Sequence, residues 1–488
     1  MSTLALVALL ALTHAPACPA THRVVVVVAD GLRPDLITPA SMPTITALAQ
    51  RGVLAMSHHS VFPTVTRVNA ASLISGTTPS GHGILGNAIY LPAVAARVLN
   101  TGSFADMALA DSVLGGQLLT APTIHDVVQR AGHRTFVASA GTPGSAFVLG
   151  AGGRTAVVNT ELTIPAALHA RVLSLLGPVP GEGYPNTARN ARALDALLRI
   201  GIDSLCSDVS YLWLSDPDHT THAQGLGSAP ALASLLAVDS QVGALLSGLT
   251  ARGLTETTDI IVVSDHGFSS HAGGGAPIRT VFDRFSADAI IADGAVYLRP
   301  GHENRLREMV SAAQQSPEIG PLFTRDGAFG TLRFDAIGWK HARSGALLYS
   351  ANWSHAANVA GVAGATQSAG VAGHGSSSPY DVHATFIAAG PGFRQGVRTT
   401  LPTSNADVAP TVLALLGLPV PRTMDGRIAV ELLRSDVLRA PARVRRDSTV
   451  ASAVAGSLRY RVTLYRSWVG RTRYVDSTLT VRQVVREH

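Results

Sequence analysis

The sequence predicts an α/β fold with a mostly parallel central sheet sandwiched by helices. Val24–Val28 is a pure β-branched run that breaks at Asp30-Gly31, the pattern of a strand buried on both faces rather than an alternating edge strand. Tyr211–Leu214 and Ile260–Val263 repeat the pattern, and each ends in acidic residues. Helix-length stretches lie between such runs. Strands alternating with helices argue for a parallel sheet covered on both sides, with its chemistry at the carboxyl ends of the strands.

Taken in order, residues 1–20 have the form of a secretory signal. Leu4–Leu12 is an uninterrupted apolar run of signal-core length, and Ala15-Pro16-Ala17 supplies a small-x-small cleavage pattern, although no Lys or Arg precedes the run. Export to a periplasmic or extracellular space is the expectation. Cys18 as a lipid attachment site fits Ala15-Pro16-Ala17 poorly. Once Cys18 is removed or exposed by cleavage, Cys206 remains alone, and a lone thiol makes no internal disulfide. Cys206 stands just ahead of an apolar strand and reads as inert core.

An α/β domain then spans 21–435. Its strands are Val24–Val28, Arg134–Val137, Tyr211–Leu214, Ile260–Val263 and Ala384–Ala388, the last closing with Gly390-Pro391-Gly392. Helices are expected over Met42–Arg51, Ala188–Leu198, Ala231–Leu249 and Ala406–Leu415. Between about 280 and 365 the character changes. Gly/Ala/Ser-rich stretches at His271–Ala276 and Ala357–Ala372 bracket Ala295–Leu298, a helix-like Glu303–Gln315 and Thr331–Phe334, which together suggest a small inserted α/β lobe. Residues 436–488 form a β extension, in which Leu458–Arg466 and Arg473–Val481 alternate around Gly470 as a terminal β-hairpin.

Composition bounds the function. At 488 residues the chain exceeds one ordinary domain, so two compact lobes are expected. With 46% hydrophobic and 14% charged residues it can bury sizeable cores, yet no internal stretch approaches the roughly 20 uncharged apolar residues of a spanning helix. A net charge of +6 suits an anionic small-molecule substrate, but the arginines are spread out with no aromatic-interleaved basic run, so specific nucleic-acid binding is not expected. Oligomeric state has no signature in the sequence.

Short clusters carry the chemistry: Val24–Gly31, Phe62–Asn69, Ser215–His222, Val262–Gly267 and Gly373–Gly375. Each presents Asp, His or Thr where an apolar run breaks into a loop. Asp218 and His222, at i and i+4, share one face of a helical turn and can bind one metal. Asp265-His266 stand together at a strand end, and His374 lies between glycines that let the backbone approach a cation. Thr66 precedes the helix-like Val68–Ile74, where N-terminal N–H groups favour a phosphate. A hydroxyl is a poor nucleophile near neutrality, and a metal is one means of stabilising its alkoxide. Any one cluster alone would read as a capping residue or an exposed acid. Together they supply ligands for two divalent metal ions and a nucleophile, the equipment of a two-metal hydrolase.

On these motifs the chain resembles the alkaline phosphatase superfamily, and within it the nucleotide pyrophosphatase/phosphodiesterase (type I phosphodiesterase) family, over roughly residues 22–435. That family has a strand-end Asp, a T-x-P-N motif with the nucleophile, D-x-x-x-H, S-D-H-G and a late G-x-H-G. The resemblance implies two zinc ions, one on Asp218, His222 and His374, the other on Asp30, Thr66, Asp265 and His266. It implies in-line attack by Thr66, a phosphothreonine intermediate and its hydrolysis. His82-Gly-Ile-Leu-Gly-Asn87 matches the family's H-G-I-x-x-N, which gives Asn87 the role of donating its amide to a non-bridging phosphate oxygen.

The sequence departs from the family at Arg67, where nucleotide-handling members carry an aromatic residue that stacks on the base. Losing that platform removes about 1–3 kcal/mol of stacking, and Arg67 becomes a candidate substrate-binding residue for a second anionic group. The expected activity is hydrolysis of a small anionic phosphodiester. A phosphonoacetate-type phosphonate or a phosphomonoester on the same site are the alternatives, and a non-catalytic metal-binding protein is a remote one. Asp216 and His219, beside the ligand pair, read as loop residues rather than ligand orienters.

Overall fold

The computed structural model describes residues 18, 21–272, 278–434 and 443–485. Its centre is a nine-stranded sheet. At the middle, Arg23–Ala29 lies between Thr258–Val263 and Val209–Leu214, all parallel. Thr135–Ser139 and Ala156–Asn159 continue the parallel run outward. Phe386–Ala389, the expected strand there, runs antiparallel to Thr258–Val263.

The β-branched run behaves as its composition dictates. Val24, Val26 and Val28 enter the apolar core on one face and Val25 and Val27 the core on the other. Helices Pro43–Arg51, Thr187–Ala196 and Ala229–Ala251 cover the second face through Ile45, Leu194, Leu235 and Val238. Helices Thr66–Ser75 and Val408–Leu415 cover the first through Leu73, Ile74 and Val412. Each such side chain removed from water contributes about 1.5–3 kcal/mol.

Helix Ala229–Ala251 amends the statement that no stretch approaches a membrane span, because its 23 residues are long and apolar enough to cross one. Here it is a packing helix. Its Asp239 accepts from Thr44 N–H at 3.0 Å and Ile45 N–H at 2.8 Å, which caps helix Pro43–Arg51 where that helix has no side-chain cap of its own.

The lobe is a five-stranded sheet built from Ala289–Ala292, Ala295–Leu298, Leu347–Ala351, Ile319–Thr324 and Leu332–Arg333, with helix Leu306–Gln315 against it. Its Val296, Leu322, Phe323 and Leu348 belong to the same apolar cluster as Val26 and Ile74, and Phe323 meets Phe62 at 5.6 Å. Lobe and central sheet thus contribute to one apolar cluster. The chain leaves for the lobe through Ser269–His271 and returns through Ala372–Gly373, two strands that pair antiparallel with Ser269 opposite Gly373. The part of the Gly-rich stretch His271–Ala276 beyond residue 272 lies outside the described residues.

The terminal β extension has one strand more than the expected hairpin. Val444–Ala455, Leu458–Val469 and Thr472–Val484 form a three-stranded antiparallel sheet. It is tied to the body by Tyr474, whose hydroxyl donates to Asp407 at 2.9 Å, and by Arg482, which donates to Ile319 O at 2.6 Å.

Cys206 is not a free core thiol. It is joined to Cys18 in a disulfide with a Cα–Cα distance of 5.4 Å, a covalent link that also leaves no Cys18 thiol for lipidation. The remainder of the proposed signal lies outside the described residues.

Candidate active site

Three adjacent strands of the sheet end on the same side, and each delivers part of the cluster. Arg23–Ala29 runs into Asp30, Val209–Leu214 into the loop before Asp218, and Thr258–Val263 into Asp265 and His266. Asp30-Gly31 must turn sharply against the Asp218 loop: Asp218 N–H donates to Asp30 O at 2.9 Å, and a Cβ on Gly31 would lie 3.1 Å from the Asp218 Cβ. With φ at +70°, Gly31 is a position at which any side chain is strained. The strand pair that closes the lobe insertion brings His374 back beside His266, their rings stacked at 3.5 Å.

Asp218 and His222 lie on helix Asp218–Gln224, as their spacing predicts, with Asp218 Oδ1 3.3 Å from His222 Nε2 and 3.4 Å from His374 Nε2. His266 Nε2 is 3.5 Å from Asp30 Oδ1, 3.1 Å from Asp265 Oδ2 and 3.3 Å from Thr66 Oγ1. The ligand atoms of Asp218, His222 and His374 lie within 4.8 Å of one another, as do those of Asp30, Asp218 and His266. Asp218 therefore borders both groups, a position that the expected partition into two separate ligand sets does not anticipate.

The donor chemistry fits cations. His222 Nδ1 faces Ala372 O at 3.1 Å, His266 Nδ1 faces Gly267 O at 2.9 Å, and His374 Nδ1 faces Thr64 O at 2.9 Å. Each carbonyl fixes the N–H on Nδ1, so each Nε2 presents its lone pair to the cluster unless it gains a second proton. Asp30 Oδ1, Asp218 Oδ1 and Asp265 Oδ2 are buried there without a hydrogen-bond donor, an arrangement that costs several kcal/mol unless positive charge lies between the oxygens and the Nε2 atoms. A tetrahedron with metal–ligand bonds of about 2.0 Å has edges of about 3.3 Å, the scale of the separations above.

Electrostatics without a cation tell the same story. Burial, then repulsion from Asp265 and Asp218, holds the Asp30 carboxyl well above the usual carboxylate range. Burial raises Asp265 as well. Burial also acts on Asp218, but His222, His374 and His266 outweigh it and pull its carboxyl down. His374 is held well below the ordinary imidazole value by burial and by His266.

Thr66 is the first residue of helix Thr66–Ser75 and is 6% exposed. Asn87 packs beside it: Arg67 N–H donates to Asn87 Oδ1 at 3.2 Å, which leaves the amide NH2 as the free end of that side chain. Arg67 is half-buried, its Nε without a partner and its guanidinium seated over Gly102, where a Cβ would come within 2.4 Å of Nη2. Two clefts flank the cluster. One of about 150 Å³ is lined by Thr66, Arg67, Asp218 and His219. The other, of about 490 Å³, is lined by Val65 and His374 and by the lobe residues Ile291 and Tyr349.

Several supporting residues are invisible in the motifs. Trp213 donates to Asp30, Asp381 accepts from Ser376 N–H and Oγ at 3.0 and 2.7 Å, and Asn405 Nδ2 donates to Asp265 O at 2.7 Å and to Asn69 Oδ1 at 3.0 Å. Asp216 is not a mere loop residue. It is fully buried and accepts from Asn186 N–H at 2.7 Å and Thr220 Oγ1 at 2.7 Å, bracing the turn that leads into Asp218. His219 stacks on Tyr184 at 4.8 Å.

Comparison with known proteins identifies the family. The profile of the family described as type I phosphodiesterase / nucleotide pyrophosphatase matches residues 24–316. Venom phosphodiesterase CdcPDE of Crotalus durissus collilineatus is 27% identical over 46% of this chain and 23% of its own length. Ectonucleotide pyrophosphatase/phosphodiesterase family member 1 of Rattus norvegicus is 27% identical over 52% of this chain and 25% of its own. The chain thus spans about a quarter of the length of these curated relatives. Among solved structures, murine ectonucleotide pyrophosphatase/phosphodiesterase 5, an inactive variant in complex with AMP, has a TM-score of 0.62 at 20% identity, covering 84% of this chain and 100% of that one. A mutant of the alkaline phosphatase PafA has a TM-score of 0.66 at 16% identity, covering 86% of this chain and 100% of that one. The chain belongs to the type I phosphodiesterase / nucleotide pyrophosphatase family.

Proposed function

We propose that this protein is an exported two-zinc phosphodiesterase that works through a phosphothreonine at Thr66. The observation that carries the reading is Thr66 Oγ1, buried at a helix N-terminus, 3.3 Å from His266 Nε2 and beside the orphaned oxygens of Asp30 and Asp265. Asp218, His222 and His374 would hold one cation, and Asp30, Asp265, His266 and Thr66 the other. When bound, the pair supplies Lewis-acid stabilisation of the attacking and leaving oxygens.

The residues of the chain do the rest. Thr66 Oγ1, its proton given up to solvent, attacks phosphorus in line and forms a new P–O bond as the P–O bond to the leaving alkoxide breaks and that alkoxide takes a proton from solvent. Water then cleaves the phosphothreonine, its hydroxyl going to phosphorus and its proton restoring the Thr66 hydroxyl. The Asn87 amide donates to a non-bridging oxygen as charge builds there, with its orientation fixed by the bond from Arg67 N–H. The helix N-terminus adds its dipole.

A diester carries groups on both sides of phosphorus, and the two flanking clefts have room for both. Relatives named as nucleotide pyrophosphatases, and a neighbour solved with AMP, favour a nucleotide-like ester among small anionic phosphoesters. Arg67, with its unpaired Nε, keeps a second reading in view: a substrate with an added carboxylate, as in phosphonoacetate. The Cys18–Cys206 disulfide favours an oxidising compartment, periplasmic or extracellular.

The test is an activity panel with added zinc: bis(p-nitrophenyl) phosphate, p-nitrophenyl phosphate, a nucleoside 5'-monophosphate aryl ester and phosphonoacetate. The reading expects the diesters to be preferred. A preference for the simple monoester by about a hundredfold, some 2.7 kcal/mol, would overturn it.

A further inference from the structure

The inserted lobe reaches Asn87 through the side chain of Asp293. Asp293 sits at the tip of the hairpin between Ala289–Ala292 and Ala295–Leu298, with φ at +45°, a left-handed conformation that Asp tolerates and that the following Gly294, at +83°, completes as a tight turn. The turn presents the carboxylate to the backbone of the Gly86–Asn87–Ala88 segment, where Asp293 Oδ2 accepts from Asn87 N–H. Gly86 makes room for this approach, since a Cβ there would stand 3.0 Å from Asp293 Oδ2.

Asn87 is thereby held from both ends. Its side-chain oxygen is engaged by Arg67 N–H and its main-chain N–H by Asp293, which fixes the peptide and the side chain together. Nothing in the local sequence of residues 82–88 would do this, because the clamp comes from 206 residues away. The hairpin cannot drift easily, since Val296 and Leu348 lock it into the common core.

We infer that Asp293 is a positioning residue for the phosphoryl-transfer step: it sets the Asn87 amide where charge develops on the phosphate oxygen. The inference rests on the role proposed for Asn87. It acts on kcat more than on KM, because a donor moved by a fraction of an ångström loses more in the transition state than in ground-state binding.

The experiment is a double-mutant cycle on the full zinc-loaded chain with bis(p-nitrophenyl) phosphate. Asn87→Ala is expected to lower kcat by about a hundredfold. Asp293→Ala is expected to lower kcat by about tenfold or more with KM and zinc content kept, and Asp293→Asn, which retains an acceptor oxygen, to recover most of that loss. In the Asn87→Ala background, Asp293→Ala should cost nothing further. Gly86→Ala, which crowds the carboxylate without touching it chemically, should reproduce the kcat loss in milder form. Equal losses from Asp293→Ala in both backgrounds, or a loss confined to KM or zinc content, would overturn the inference while leaving Asn87 in place. An Asn87→Ala variant with unchanged kcat would remove the role of Asn87 itself, and the inference with it.

Discussion

Trp213 Nε1–H donates to Asp30 Oδ2 at 2.9 Å between neighbouring parallel strands, and this turns the other oxygen, Oδ1, toward the His266 and Asp218 side of the cluster. A ligand carboxylate held by an outer donor binds its cation in one orientation. Trp213→Phe removes that donor together with the pyrrole part of the ring, so a cavity at this buried position accompanies the loss and fold stability is measured beside it. Zinc affinity at the Asp30 side is expected to fall about 10- to 100-fold, measured by competition with a chromophoric chelator. Unchanged affinity would mean that the indole packs but does not orient.

Thr66→Ala separates chemistry from metal binding. The variant should keep the fold and bound zinc and lose about 10⁴-fold or more in kcat, because a nucleophile has no substitute in a covalent mechanism. Metal analysis beside turnover of a diester checks it. Residual turnover within tenfold of wild type would put the nucleophile elsewhere.

Asp265→Asn should have the opposite signature. It withdraws one of the three orphaned carboxylate oxygens and its charge from the cluster, so zinc content should drop toward one ion per chain at limiting metal and activity should return only at high zinc. Inductively coupled plasma mass spectrometry after dialysis reads the stoichiometry. Two ions retained with normal affinity would contradict the ligand assignment.

Asp407, where the terminal sheet meets the body, predicts a pH effect on stability. Burial pushes its carboxyl up to about 6 despite the bonds it accepts from Arg427 N–H and the Tyr474 hydroxyl. The native state thus holds the proton more tightly than the unfolded chain. Its contribution is fully present below about pH 4 and is lost as pH rises through 6. Asp407→Asn cannot ionise, so its stability relative to wild type should improve between pH 4 and 7, by at most about 3 kcal/mol. Urea denaturation at both pH values tests the sign, and a difference that is flat or reversed would refute it.

The Cys18–Cys206 bond closes a loop with a sequence separation of 188 residues. Cys206→Ser, or reduction, is expected to cost about 2–5 kcal/mol of stability, seen as a lower denaturant midpoint with little change in kcat, since the bond lies far from Thr66 in sequence and in none of the clefts beside the cluster.

What could be read in the sequence follows from where the physics is local. Val24–Val28 announces a doubly covered strand because burial on both faces forbids alternation, and the i, i+4 spacing of Asp218 and His222 is a helical property carried within five residues. The direction of Phe386–Ala389 was not legible, since a short apolar run has the same composition either way. Val444–Ala455 was missed as a strand because one edge of the terminal sheet is solvated and its Arg-Arg-Asp-Ser-Thr stretch shows no apolar alternation. The disulfide and the Asp293 clamp join positions about two hundred residues apart, for which no local pattern exists. The packing of Phe323 on Phe62 was equally hidden, because the two positions are far apart in sequence and no local pattern joins them.

The most direct measurement is a crystal structure of the zinc-loaded protein with anomalous data at the zinc edge. The account predicts two peaks within about 4 Å of each other, one bonded by Asp218, His222 and His374, the other by Asp30, Asp265, His266 and the Thr66 oxygen. A single peak, or a second one that leaves Thr66 Oγ1 outside its coordination, would contradict it.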